Sequence, residues 1–184
     1  GVGITPEQAA AIKNFNNKLQ SNAAIVTFQE AKYFSGLTTL NGAFKSSSIQ
    51  TLILDFEGNN ANAIDISAIC QACNSLVEVV IRNAKIKFGG NEFNNCDQLV
   101  TIRLENCDTS ESTSLAYTLA NTKAIESTDF LNGSDWRNVT DLSGFLNKSN
   151  VKRASFPATF SSKFTSVANL AYEVPELEEL DLSN

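Results

Sequence analysis

The sequence predicts an α/β solenoid: a right-handed coil with one parallel β-sheet, short convex helices and an N-terminal capping helix. Three observations carry that expectation. An apolar-x-x-apolar-x-apolar phrase recurs with first positions at 23, 49, 76, 99, 125, 151 and 177, so its steps are 26, 27, 23, 26, 26 and 26 residues. Within each phrase the last two apolar positions alternate with their neighbours, the period of a strand with one buried face. A second apolar series, spaced by three, precedes most of the strands, and that spacing suits one face of a short helix or 3₁₀ turn.

Residues 1–22 read as the cap. Thr5-Pro6-Glu7-Gln8 has the form of a capping box with proline at the first helical position, and Ile12, Phe15 and Leu19 would share one helical face. Such a helix covers the open end of the first coil, which a terminal repeat requires. Residues 23–184 then make about seven coils, with strand phrases Ala23/Val26/Phe28, Ile49/Leu52/Leu54, Leu76/Val79/Ile81, Leu99/Ile102/Leu104, a degraded Ile125/Thr128/Phe130, Val151/Ala154/Phe156 and Leu177/Leu180/Leu182. The convex series is Leu37/Leu40/Ala43, Ile64/Ser67/Cys70, Thr113/Ala116/Leu119, Val139/Leu142/Phe145 and Thr165/Ala168/Ala171. No coil buries its apolar edge alone, so the coils must stack into one continuous sheet. The short step from Leu76 to Leu99 carries "AKIKFGGN", where Ile86 and Phe88 before Gly89-Gly90 predict a convex strand and a tight turn.

Composition narrows the function. Net charge is −6, with 42% hydrophobic residues and 18% charged. Dispersed acidic charge repels a phosphate backbone, so nucleic acid is not an expected partner. No apolar run reaches the ~20 residues of a membrane span, so direct membrane insertion is not expected. The chain has no His, which removes the commonest general base and metal ligand; no enzyme activity, cofactor or metal is expected. It opens on Gly1 and contains no Met, so the native start, with any targeting signal, is expected upstream.

Several motifs invite chemistry and have plainer readings. Cys70-x-x-Cys73 resembles half a zinc site or a redox pair. However, Cys73 and Cys96 each stand three residues before a strand's first apolar position, so both are expected as buried, reduced thiols. Glu178, Glu179 and Asp181 lie on the closing strand phrase "LEELDLSN", where a solvated face explains them without catalysis. Trp136 is expected to pack beneath a convex loop. Neither the opening Gly1-Val2-Gly3 nor "FGGN" has the strand-loop-helix setting of a phosphate loop.

The outward strand face is the most informative surface, because solenoids commonly bind there. Ile53 and Val80 predict a small exposed patch of β-branched residues. Asp55-Arg82-Glu105 and Arg103-Asp129 predict cross-strand ion pairs. Ile53, Val80, Arg82, Arg103 and Asp129 are therefore the candidate binding residues for a protein or glycan partner. The last coil shows no cap in sequence, so end-to-end or edge association there is a second expectation.

The phrases "FNNCDQLVTIRL", "NVTDLSGFLNKSNVKRASF", "LEELDLSN" and "AKYFSGLTTLNGAF" resemble the repeats of BspA-like bacterial leucine-rich-repeat surface proteins. The resemblance covers about residues 24–184 and implies a leucine-rich-repeat-like solenoid. It further implies a non-enzymatic binding or adhesion module, extracellular or held at a bacterial cell surface by a lipoprotein anchor. A structural spacer or assembly domain of a larger repeat protein is the alternative. Thr128 and Ala154 stand where the pattern has Leu, and Thr122 and Lys148 where the short repeat has Cys.

Overall fold

β-Branched and leucine side chains dominate "TLILD", "EVVIR" and "TIRLE", and these segments form the longest strands of a computed structural model that describes residues 4–58, 60, 62–160 and 163–182. The opening Gly1-Val2-Gly3 and the closing Ser183-Asn184 lie outside the described residues. A helix at Pro6–Ala11 (α1) is followed by strands at Thr27–Phe28 (β1), Thr51–Asp55 (β2), Ile64–Asp65 (β3), Glu78–Lys87 (β4), Thr101–Asp108 (β5), Arg153–Ser155 (β6) and Glu179–Asp181 (β7). On the concave side β1, β2, β4 and β5 pair in that order, every pair parallel. Leu52 stands opposite Val79 and Val79 opposite Ile102; Leu54 stands opposite Ile81 and Ile81 opposite Leu104, the register that the repeat spacing predicts. The result is a parallel-strand solenoid of about six turns.

One hydrogen-bond motif recurs at nearly every step of the stack. Two successive backbone N–H groups converge on one carbonyl of the preceding coil: Gln50 and Thr51 on Val26, Val77 and Glu78 on Gln50, Val100 and Thr101 on Val77, Lys152 and Arg153 on Glu126, Glu178 and Glu179 on Lys152. A single step breaks it. Among the described residues no N–H of the Ile125 coil reaches the carbonyl of Val100, and β5 has no strand partner beyond β4. The expected continuous sheet is therefore two sheets, the second made of β6 and β7, with Ser127 bridged to Arg153. The cause is local. "ESTD" brings Ser127, whose hydroxyl donates to Asp129 Oδ2 at 2.7 Å, and the chain turns into a 3₁₀ segment at Asp129–Leu131. Thr128 takes a strand's part with its side chain, accepting from the Ser155 N–H and donating to the Ser155 carbonyl, both at 3.0 Å.

The convex side holds turns in place of the predicted helices. Residues of positive φ come in pairs four apart: Asn17/Ser21, Gly42/Ser46, Ala68/Ala72, Asn91/Asn95, Tyr117/Asn121, Gly144/Lys148 and Asn169/Glu173. A left-handed residue at every fourth position precludes a helix. It closes successive β-turns instead, as in Ala43 N–H to Leu40 O and Ser47 N–H to Phe44 O. The N–H groups of the left-handed residues run on to the next coil, from Gly42 to Ser67, Ala68 to Gly90 and Gly144 to Ala168. The convex strand expected at Ile86 and Phe88 is the far end of β4, continuous with its concave part; Ile86 stands there opposite Ile64 of β3, and Phe88 falls just beyond the strand.

Two N-terminal expectations change. Thr5 and Gln8 make the capping box, but α1 ends at Ala11, and Asn14 already bridges Thr39 as part of the stack. Phe15 and Leu19 therefore belong to a first convex turn and pack on the core from there. The first strand phrase is displaced by two residues: Phe28 pairs with Leu52, so Ile25 and Phe28 face inward while Val26 is exposed.

The core runs the length of the stack. Leu52, Leu54, Val79 and Ile81 are fully buried, Ile102 nearly so, and Leu104, at the open edge of β5, only partly. Trp136 is buried, donates its indole N–H to Leu131 O at 2.8 Å, and packs edge-on to Phe88 and stacked with Phe160. Ser47, Cys73, Cys96, Thr122 and Ser149 form a buried column of small donors. Cys73 Sγ bonds Phe44 O, Cys96 Sγ bonds Cys70 O, and Thr122 Oγ1 bonds Leu119 O. Ser149, not Lys148, occupies the column in its coil; Lys148 is at positive φ on the turn.

Candidate functional site

The five candidate residues fall into two groups. Ile53, Val80 and Arg103 stand side by side across β2, β4 and β5, and Arg82 lies one outward position further along β4. Asp129 lies across the sheet break in the 3₁₀ segment. The predicted apolar patch is smaller than the sequence implies. Ile53 is half-buried, and Val80 is only 3% exposed. Val80 is hemmed in by its cross-strand neighbours, and Arg103, directly opposite, reaches back past it to Glu78.

Electrostatics on this face are mostly internal. Arg82 lies 3.2 Å from Asp55 and 3.8 Å from Glu105, the predicted triad. Arg103 pairs with Glu78 at 2.6 Å and Glu105 at 3.5 Å, and not with Asp129 as expected. The sheet break removes Asp129 from the strand ladder, and its carboxylate accepts from Ser127 instead. The Glu57 backbone N–H holds the Asp55 carboxyl below its usual range, with Asn83 and Arg82 assisting against a small cost of burial. Asn83 and Asn106 continue this polar edge, Asn106 donating to Asn83 and Asn83 to Asp55.

The break itself forms a cleft of about 460 Å³ lined by residues that include Thr101, Ile102, Ile125, Asp129, Phe130 and Arg153. Its floor is apolar, since Ile102, Ile125 and Phe130 are buried there. Its rim is charged. Glu126 is taken by Lys152 at 2.7 Å and also feels the Arg153 charge, whereas neither Arg153 nor Asp129 forms a salt bridge within 4.0 Å among the described residues. The free edge of β5 adds unpaired backbone groups, including the Val100 carbonyl. Sequence reasoning missed this cleft. The signal was present as the degraded phrase Ile125/Thr128/Phe130, whose Thr replaces the Leu of its neighbours.

A second residue escaped notice. On the convex turns Thr39, Asp65, Ser114, Asp141 and Ser166 each accept the backbone N–H two residues on. The short coil has Phe88 at that place, and Glu92 substitutes from the other side of the turn. Its Oε1 accepts from Gly89 and Gly90 N–H at 2.8 and 2.7 Å, and its Oε2 from Thr118 Oγ1 at 2.6 Å. Glu92 is wholly buried, and burial pushes its carboxyl up to about 7 against the pull of those donors. Gly89 has no room for a side chain, because a Cβ there would stand 2.3 Å from Ser67 Oγ.

The thiols show structural placement. Cys70, Cys73 and Cys96 are buried and all four cysteines are free. Burial raises the Cys70 and Cys96 thiols well above their ordinary range and Cys107 to about 11. Among the described residues no three His, Cys, Asp or Glu side chains are grouped to share a metal ion, and no helix is long and apolar enough to cross a membrane. No family model, no curated protein and no solved structure matches the chain.

Proposed function

We propose that this solenoid is a leucine-rich-repeat-like, non-enzymatic binding module of the BspA-like kind, extracellular or at a bacterial cell surface, that recognises a protein or glycan. The concave face is its recognition surface, and the contact centres on the cleft between β5 and the Ile125 coil. The observation that carries this reading is the cleft's composition: an apolar floor of Ile102, Ile125 and Phe130 beneath Arg153 and Asp129, neither of them in a salt bridge among the described residues. An apolar floor contributes desolvation, and an arginine outside any salt bridge offers a directed fork of donors to carboxylate or carbonyl groups. Arg82 and Arg103 flank this centre as an already paired rim, which contributes selectivity more than affinity.

Protein and glycan arrays probed with the purified domain test the reading. A captured partner whose affinity falls at least about tenfold in the Arg153→Glu/Asp129→Lys pair, with the melting temperature preserved, supports it. Capture unchanged in that variant removes the cleft as the site.

The spacer or assembly reading rests on a different observation. The last coil exposes Phe164, Val167, Tyr172, Leu180 and Leu182, the kind of apolar face that a further stacked coil covers.

A further inference from the structure

We propose that copies of this chain stack head to tail, the Leu177 coil of one on the first coil of the next, so that the solenoid continues across the junction. The proposal rests on the assembly reading above, gives it a second copy as its occupant, and is independent of the cleft.

Hydrogen bonds between coils run in fixed directions. On the convex side amides donate forward along the chain: Leu142, Gly144, Leu146 and Lys148 reach the carbonyls of Ser166, Ala168, Leu170 and Tyr172. On the concave side they donate backward, as Gln50 and Thr51 do to Val26. The two end faces of the stack therefore carry opposite sets of groups. In the last coil the corresponding convex amides are those of Val167, Asn169, Ala171 and Glu173, and the corresponding concave carbonyl is that of Glu178; none has a backbone partner among the described residues. In the first coil the matching convex carbonyls are those of Asn14, Asn16, Lys18 and Gln20, and among the described residues they accept no backbone amide. Val26 and Thr27 hold the places of Gln50 and Thr51, so their amides point out of the stack.

The apolar columns share this register. One further step places Val167 on Phe15, Ala171 on Leu19 and Leu180 on Phe28, each pair within one column. Both faces are open to receive it: Val167 and Leu180 are exposed, and Phe15, Leu19 and Phe28 are only partly buried. The helix α1 leaves the first coil open. It precedes the first convex turn as the 3₁₀ turn Ala31–Tyr33 precedes the second, and it packs beside that turn. Charge has the same polarity. Residues 12–28 hold Lys13 and Lys18 and no acid, whereas residues 164–182 hold Glu173, Glu176, Glu178, Glu179 and Asp181 and no base.

Contact between two last coils would set amide against amide and acid against acid, and contact between two first coils would set carbonyl against carbonyl. Only head-to-tail contact pairs both the backbone groups and the charges. That contact is heterologous and does not close on itself, so it produces a growing stack and not a dimer.

Sedimentation velocity on the purified chain, from about 1 μM to about 1 mM, tests this. The average mass should climb past the dimer without a plateau. Val167→Lys/Leu180→Lys places charge on the last coil only. Both side chains are already exposed, so the melting temperature should hold while self-association weakens at least about tenfold. The variant keeps a working first coil. Added in equal amount to the wild type at fixed wild-type concentration, it should occupy wild-type last coils and shorten the stacks, an effect that a tail-to-tail contact does not allow. A mass plateau at the dimer, or wild-type stacks unchanged by the variant, overturns the proposal. A monomer throughout the range also overturns it, and leaves the assembly reading standing with a different coil as the partner.

Discussion

Glu92 makes the stability of this protein depend on pH in an unusual direction. Its folded carboxyl holds a proton up to about pH 7, whereas the unfolded chain releases it near 4.5. The folded state therefore binds more protons between those values. The contribution is complete below pH 4.5 and is lost as pH rises through 7, for a total of about 3 kcal/mol. Asp55, Asp108 and Asp135 have carboxyls lowered by hydrogen bonds, so their contributions run the other way and fade below the ordinary carboxylate range. Chemical denaturation should accordingly give maximal stability near about pH 5, with a loss toward about pH 8. In Glu92→Gln that alkaline loss should disappear; an alkaline loss as large in the variant as in the wild type would assign it to another group. The same turn fixes Gly89. Replacing it with Ala drives a Cβ into Ser67 Oγ and should destabilise by roughly 1–3 kcal/mol, measurable as a lower denaturation midpoint at unchanged slope.

At the scale of the element, strand position sets the cost of losing a side chain. Ile81 is enclosed by β2 and β5, while Leu104 holds the equivalent place at an open edge. Ile81→Ala should cost about 2–5 kcal/mol. Leu104→Ala should cost roughly 1–2 kcal/mol, because its side chain is only partly buried. Equal losses would mean that the β5 edge is covered. A matching contrast holds on the outward face: Ile53→Lys should be nearly neutral, but Val80→Lys should lower stability by about 1–2 kcal/mol, since Val80 is buried between its neighbours. These strands were legible in the sequence, because "TLILD" and "EVVIR" are short β-branched and leucine runs that return at the repeat spacing with the same inward pair, Leu52/Leu54 and Val79/Ile81. The convex turns were not. Successive β-turns with a left-handed residue at every fourth position place inward side chains three or four apart, the same spacing that a helix gives, and Ala68, Ala72 and Tyr117 give no warning of positive φ. Nor was the displacement of the first phrase, since Ala23/Val26 and Ile25/Phe28 fit the apolar pattern equally well until β2 selects one.

At the scale of the molecule, the repeat length was the strongest signal, and it led to the stacking order and register. The interruption was present only as a weakened phrase. A Thr at 128 reads as a tolerated substitution until its side chain is seen bonding to Ser155, leaving β5 with a free edge. The candidate site moved with it, from the Ile53/Val80 patch to the cleft between Arg103's strand and Asp129's turn. Trans-hydrogen-bond scalar couplings in the NMR spectrum of the labelled protein measure the decisive feature directly. Couplings are expected from the amides of Gln50 and Thr51 to the Val26 carbonyl, of Val77 and Glu78 to Gln50, of Val100 and Thr101 to Val77, and of Lys152 and Arg153 to Glu126. None is expected at the Val100 carbonyl. A coupling from the Ile125 coil to Val100, or reciprocal couplings of an antiparallel pair between β2 and β4, would contradict an interrupted parallel solenoid.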